Sequence, residues 1–543
     1  MEEPEGSWTV EFYDLSRDFP VPSYGLEDVD LGQLGDVHER ARENGARDGT
    51  PIVWSKRHGT DPWINLFFRA DEIVSKQRTT WRRYAYALVV WLNFLEQRGR
   101  FWYEASKRDY TDFKHWRMAD ARNYWRVEGT SFDTDRAGLK RFYTWASGEY
   151  EVFNPIPSQS AQSGGGFGPG TGRRDPSRPA GAPRRQVKWL LRKAFEQWRD
   201  VGLRGYGFDG LRPVSQHGFN EDRNTAFVEG LWGTGLRLEE WASVLDVELP
   251  PTPVTSRYPK AWLSQACAKG RRYGRNYRIP RAVVKAVAGY TDSLEGSRAE
   301  TIMRARRAGR YERVPGLVIV TGHNPRTRSL KVRTSHGSSA TMSLDVLGPE
   351  ERLRLFRETE DGLEPLAVWL SVDGMPHRAH SWENTFATAN SRVAGAWARS
   401  RWPGVDDLEA EERERRAAQC PLWARPHMLR HSYALVWYSI LSAVWEQRLR
   451  GFTEAEKHAF QEQFGDVWYQ LATMLGHRNP QTTRDWYLAP FTALEIDYLM
   501  ALVDGDQREA VDILLGRLAA NSELVLSPVA ADLGVLDHSG DDE

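Results

Sequence analysis

The feature that most constrains this chain is the stretch from Asn154 to Arg185. It holds Gly164, Gly165, Gly166, Gly168 and Gly170 among prolines and serines and has no apolar periodicity. No single core can be threaded through such a segment, so it reads as a linker between separately folded parts. Its arginines, Arg173 and Arg174 among them, are candidates to track a phosphate backbone; a tether kept soluble by charge is the alternative.

Upstream of the linker, Trp81, Tyr84, Leu88, Trp91, Leu92 and Leu95 recur every three or four residues, which predicts an amphipathic helix. Tyr110, Phe113 and Trp116 mark a second helical stretch, and Leu139, Phe142 and Trp145 a third. A small helical domain over 64–153 follows, its aromatics serving as core. The acidic region 1–63 is weakly periodic and its structure stays open. Downstream, helices are expected over Asn224–Trp232 and Leu238–Leu245. A hairpin is expected from Ala261–Ala268 and Tyr273–Ile279, and strands at Leu317–Val320, Leu330–Thr334 and Thr341–Leu344. This part spans 186–503, and an acidic tail, 504–543, carries the apolar stripe Val511, Leu514, Leu515 and Leu518 of a short helix.

Charge matters only by region. The whole chain sums to −1, yet residues 1–55 carry −9 and 504–543 carry −8, which leaves +16 between them. Only 12 of the 73 basic residues are lysine, and the arginine fork suits bidentate phosphate contact. The start, Met1–Ser7, has no apolar signal region, and the apolar run Tyr86–Leu95 is too short to span a bilayer, so a cytoplasmic protein without membrane attachment is expected. Cys267 and Cys420 belong to no metal-ligand cluster.

Three motifs carry chemistry. In Gly233-Thr-Gly-Leu-Arg-Leu-Glu-Glu240, Arg237 stands at a helix start with Glu240 one turn on, spaced to orient the guanidinium. In Arg425-Pro-His-Met-Leu-Arg-His431, Pro426 suits the first helical turn and His427, Arg430 and His431 share a face. The His427–His431 spacing invites a zinc reading, but Arg430 would set a fixed cation beside the metal. In Leu475-Gly-His-Arg-Asn-Pro-Gln-Thr-Thr-Arg-Asp-Trp-Tyr487, Gly476 ends a helix and places His477 just outside it, and Thr482 or Thr483 can cap a short helix bearing Tyr487. Each motif alone has an ordinary structural explanation. Together they supply two arginines, two histidines and a tyrosine without an acidic cluster, a set suited to phosphoryl transfer stabilised by arginine.

The set resembles the tyrosine recombinase (phage integrase) family, in which an arginine box, a His-x-x-Arg box, a Leu-Gly-His box and a downstream tyrosine occur in this order. Ala268-Lys269-Gly270 followed by Tyr277-Arg278-Ile279-Pro280 is similar to the family's lysine-bearing hairpin. The resemblance implies a mainly α fold with a small β component: a helical core-binding domain plus a mixed α/β catalytic domain. It implies that Tyr487 is the nucleophile, that Arg237 and Arg430 clamp the phosphate with Glu240 supporting Arg237, and that His427 manages the tyrosine proton. Lys269 would protonate the 5′ oxygen, and His477 would hydrogen-bond the phosphate. Arg271, Arg272 and Arg275 would add DNA contacts. No cofactor and no metal are implied. The partners would be double-stranded DNA, three further protomers in a tetramer on paired sites, and an accessory directionality factor. Neighbouring readings are a type IB topoisomerase-like relaxing enzyme and an inactive DNA-binding accessory protein. The 10-residue step from His477 to Tyr487 is one longer than in many members, and the strand-like stretch from Arg313 to Glu364 is extra.

Overall fold

The computed structural model describes residues 7–15, 37–157, 177, 187–212, 220–270, 273–292, 298–333, 337–477, 479–481, 483–484 and 525–526. The chain divides into two compact units, Met1–Arg185 and Gln186–Glu543. It is mainly helical, with small sheets.

In the first unit, β1 (Trp8–Phe12), β2 (Pro51–Ser55) and β3 (Gly59–Thr60) form an antiparallel sheet. The helices α1 (Arg78–Glu96), α2 (Lys107–Met118) and α3 (Gly129–Tyr150) pack beside it. The apolar stripe of α1 is the buried one: Trp81, Leu88, Trp91, Leu92 and Leu95 are all in the core. α2 begins where Ser106 and Asp109 cap each other reciprocally. The buried polar atoms of this aromatic core are satisfied, since Trp91 Nε1 donates to Tyr143 Oη (2.8 Å) and Tyr143 in turn to the Trp102 carbonyl (2.8 Å). Trp8 and Val53 belong to the same core, so the acidic N-terminal region contributes strands to the helical body. The side chain of Asn93 locks this union by pairing with both Trp8 N (2.9 Å) and Trp8 O (3.0 Å). Farther along, Tyr110 donates to the carbonyl of Ser177 (3.1 Å) and Arg136 to its hydroxyl (3.0 Å), which buries Ser177 in this unit.

The second unit is built on α4 (Arg192–Gly202), α5 (Glu221–Thr234), the short α6 (Leu238–Ala242) and the hairpin β4 (Lys260–Leu263) and β5 (Arg275–Arg278). α7 (Arg281–Asp292) and α8 (Arg298–Arg307) follow. Next comes a five-stranded sheet of β6 (Val318–Asn324), β7 (Ser329–Arg333), β8 (Ser339–Ser343), β9 (Leu355–Thr359) and β10 (Gly362–Pro365). Its spatial order is β10-β9-β6-β7-β8, with only the β9–β6 pair parallel. α9 (Ser381–Arg401), α10 (Pro426–Leu449) and α11 (Val467–Leu475) complete the described helices that bear on the site. Trp198, Phe227, Trp241, Trp369 and Trp382 fill the main core, and the Phe227 and Trp382 rings stack. Burial of such side chains contributes about 1.5–3 kcal/mol each.

The five-stranded sheet has its own small core of Leu330, Val332, Leu344, Leu355 and Leu366, closed by Leu245. Polar bonds fasten it to the β4–β5 hairpin. Trp262 Nε1 donates to Asp345 (2.7 Å), and Arg352, 3% exposed, reaches Glu248 (2.6 and 3.0 Å), Ser264 Oγ (2.8 Å) and the Ser243 carbonyl (3.2 Å). The sheet and the hairpin are thereby held as one body.

Candidate catalytic site

Arg237 owes its position to the residue two before it. Gly235 ends α5 in the left-handed conformation (φ +63°), and a Cβ there would lie 2.3 Å from the Tyr433 ring of α10. Only glycine allows both the turn and the close approach. The chain then re-enters a helix at once, with Arg237 at the N-cap of α6. Glu240 accepts from the Arg237 backbone N–H (3.0 Å) and from its Nη1 (2.8 Å).

Glu240 is the hub, 1% exposed. Besides Arg237 it accepts from Arg275 Nη2 of β5 (3.0 Å) and, more distantly, from the backbone N–H of Lys269 (3.5 Å). Burial by itself would raise its carboxyl, but Arg275, Arg237 and Arg430 outweigh that and hold it at about 2. Three guanidiniums around one carboxylate leave an excess of positive charge in a low-dielectric surrounding, which suits a phosphate and opposes a metal dication.

Arg430, on α10, is 1% exposed. Its Nη1 donates to the Gly235 carbonyl (2.5 Å) and its Nη2 to the Leu475 carbonyl (2.5 Å), so it bridges the C-terminal ends of α5 and α11, where the helix dipoles favour a cation. Nη2 also lies 3.3 Å from His477 Nε2. Gly476 caps α11 in the left-handed conformation (φ +67°), and a Cβ on it would stand 2.5 Å from Arg275 Cζ. His477 follows directly, its Nδ1 2.8 Å from the hydroxyl of the fully buried Thr483. Burial, then Arg430, Arg237 and Arg275, push His477 down to about 3, so its ring is neutral. Arg430 can only donate, so its contact with Nε2 places the ring proton on Nδ1, which then donates to Thr483; Nε2 carries a proton toward a phosphate only when the Thr483 hydroxyl donates to Nδ1 instead.

His427 is exposed on the first turn of α10 and its ring meets that of His431 edge-on at 4.5 Å. His431 is buried and, through burial and then the neighbouring His427, Arg430 and His477, held well below 6.5. Lys269 is exposed, between β4 and β5. The structure therefore gathers Arg237, Glu240, Arg430 and His477 into one cluster, with Lys269 touching it through its backbone and His427 beside it on α10. Tyr487, Arg173, Arg174, Arg271 and Arg272 lie outside the described residues. Arg275, expected as a DNA contact, is 15% exposed, held by Glu240 beneath Gly476, and so joins the same cluster. Thr483, which the sequence offers with Thr482 as a helix cap, joins it as well. A helix-capping threonine and a hairpin arginine carry no local mark of such roles. A cleft of about 1080 Å³ elsewhere in the unit is lined by Asp246, Arg298, Arg306, Arg357 and Glu364 and contains no cluster residue.

No protein-family model and no curated protein sequence matches the chain. Among solved structures it is similar to the XerH site-specific recombinase bound to palindromic difH substrate in a post-cleavage complex, at 10% identity over 81% of this chain and 85% of that one, TM-score 0.40. It is also similar to the Tn1549 transposon integrase (residues 82–397) in complex with circular intermediate DNA, at 13% identity over 78% and 94%, TM-score 0.35. XerA recombinase matches at 12% identity over 78% and 92%, TM-score 0.23.

Proposed function

We propose that the chain is a tyrosine recombinase that cuts and rejoins DNA through a 3′-phosphotyrosyl intermediate, needing neither metal nor ATP. One observation carries this: Arg237 and Arg430, 193 residues apart, converge on one buried carboxylate and on His477 with positive charge in excess. Such an arrangement stabilises the charge that develops on the non-bridging oxygens in phosphoryl transfer, and loss of one preorganised donor of this type costs on the order of 10²–10³ in rate.

In this reading Tyr487 Oη attacks the scissile phosphorus and the bond from phosphorus to O5′ breaks. Tyrosine, with an ordinary pKa near 10, loses its proton to His427. O5′ leaves as a hydroxyl with the proton of Lys269. The 5′ hydroxyl of a partner strand then attacks the phosphotyrosine, restoring a phosphodiester and the free tyrosine, so bond energy is conserved. Glu240 keeps Arg237 and Arg275 in place, and His477 donates to the phosphate when Thr483 holds it in the Nε2–H tautomer. Duplex affinity comes from the basic residues 56–503, and exchange takes place in a tetramer on paired sites, in integration or excision of a mobile element with an accessory factor setting direction.

The test is a nicked duplex that traps the covalent adduct, resolved by denaturing electrophoresis in the presence of EDTA. The natural chain should form the adduct and Tyr487→Phe should not, while both bind DNA equally. An adduct that survives the substitution, or none from the natural chain, overturns the reading.

A further inference from the structure

The five-stranded sheet is not accounted for by the reaction above, and its charge is unevenly distributed. Residues 314–344, which include β6, β7 and β8, contain no Asp or Glu and carry Arg326, Arg328, Lys331 and Arg333. The acids of the sheet sit at its other end, where Glu358, Glu360, Asp361 and Glu364 fall within or between β9 and β10. A merely solvated sheet face mixes both signs.

The alternation of β7 fixes which side chains face out. Leu330 and Val332 are buried in the small core, so Ser329, Lys331 and Arg333 point away from it. Their direct partners on β8 are Ser343, Thr341 and Ser339, and Lys331 faces Gly322 on β6. The β7–β8 part of the outer face thus carries small hydroxyl side chains around Lys331, with Ile319 of β6 opposite Arg333. Arg328 is taken up by Asp345 (2.9 Å) and Arg333 by Glu358. Arg326, at the exposed tip between β6 and β7, and the exposed Lys331 meet no carboxylate among the described residues. Small hydroxyls beside unpaired cations are the chemistry of phosphate-backbone contact.

The face is also rigidly placed. Arg328 lies over the Trp262 ring of β4 (4.4 Å), and Asp345 joins both residues. The sheet and the hairpin that leads to Lys269 are therefore fastened together, and a duplex held at one is presented in a fixed way to the other.

We propose that the outer face of β6, β7 and β8 is a second contact for duplex DNA, with Arg326 and Lys331 on backbone phosphates away from the scissile one. This rests on the recombinase reading for its partner, but not on any catalytic residue. The full-length protein would be titrated onto a labelled duplex of arbitrary sequence between about 50 and 200 mM salt. Each phosphate contact contributes about 0.9 to the slope of log K against log salt. Arg326→Gln with Lys331→Gln should flatten that slope by about 1.8, which reduces the salt effect over this range roughly 12-fold. Trapping of the adduct at saturating protein should keep its rate. The charge-retaining pair Arg326→Lys with Lys331→Arg should bind like the natural chain.

An unchanged slope in the Gln pair overturns the inference while leaving the recombinase reading intact. A slope lost equally in the charge-retaining pair assigns the effect to folding and overturns it as well. A flattened slope in a protein that never forms an adduct supports the DNA face and removes the catalytic reading.

Discussion

Replacing Glu240 by Gln tests the cluster at its hub. The natural carboxylate is buried and held at about 2 against an ordinary 4.5, a difference that corresponds to about 3 kcal/mol of stability at neutral pH. Direct removal of one partner from a buried ion pair gives a similar figure, about 3–5 kcal/mol. The amide keeps one acceptor but turns a donor toward a guanidinium, and Arg237, Arg275 and Arg430 then repel one another without compensation. The sign follows from the lowered pKa: the contribution is complete above about pH 4.5 and fades as pH falls toward 2. Urea unfolding of both proteins should give a penalty of about 3 kcal/mol at pH 7 and about 1 kcal/mol at pH 3, with the thermal midpoint lowered by several degrees at neutral pH. A penalty under about 1 kcal/mol at pH 7, or one as large at pH 3 as at pH 7, would refute the assignment of Glu240 as the electrostatic hub. Activity should fall too, because Arg237 loses the partner that orients it.

Two further outcomes probe the reaction. Thr483→Val keeps the shape of a fully buried side chain but removes the hydroxyl 2.8 Å from His477 Nδ1; adduct formation should slow at least tenfold with an altered pH profile, and Thr483→Ser should restore it, whereas full activity of the valine variant would show that the tautomer is set elsewhere. Lys269→Ala should slow normal DNA far more than a substrate whose leaving 5′ oxygen is replaced by sulfur, which needs little protonation; equal slowing of both would remove Lys269 from the role of acid.

Periodic elements were legible because one face of each is buried. The α1 stripe from Trp81 to Leu95, the hairpin around Gly270 and the strands at 318–343 all follow from spacing. The N-terminal strands were not, because β1 has one well-buried residue, Trp8, and its partner lies some 45 residues away across an acidic stretch. At the site, the motifs pointed to Arg237, Glu240, Arg430 and His477, whose backbone settings depend on nearby glycines and helix ends. The place of Arg275 was not legible, because an arginine on a hairpin looks like a surface charge; only the fold brings it to Glu240, 35 residues earlier, and beneath Gly476. Spacing offers Thr482 and Thr483 equally as a cap, and only the fold shows that the Thr483 hydroxyl meets His477 Nδ1.

Ser177 is anchored in the first unit 20 residues beyond residue 157, so a protease cut between them would leave it held by its bonds to Tyr110 and Arg136, and the variants Tyr110→Phe and Arg136→Gln would each remove one of those ties.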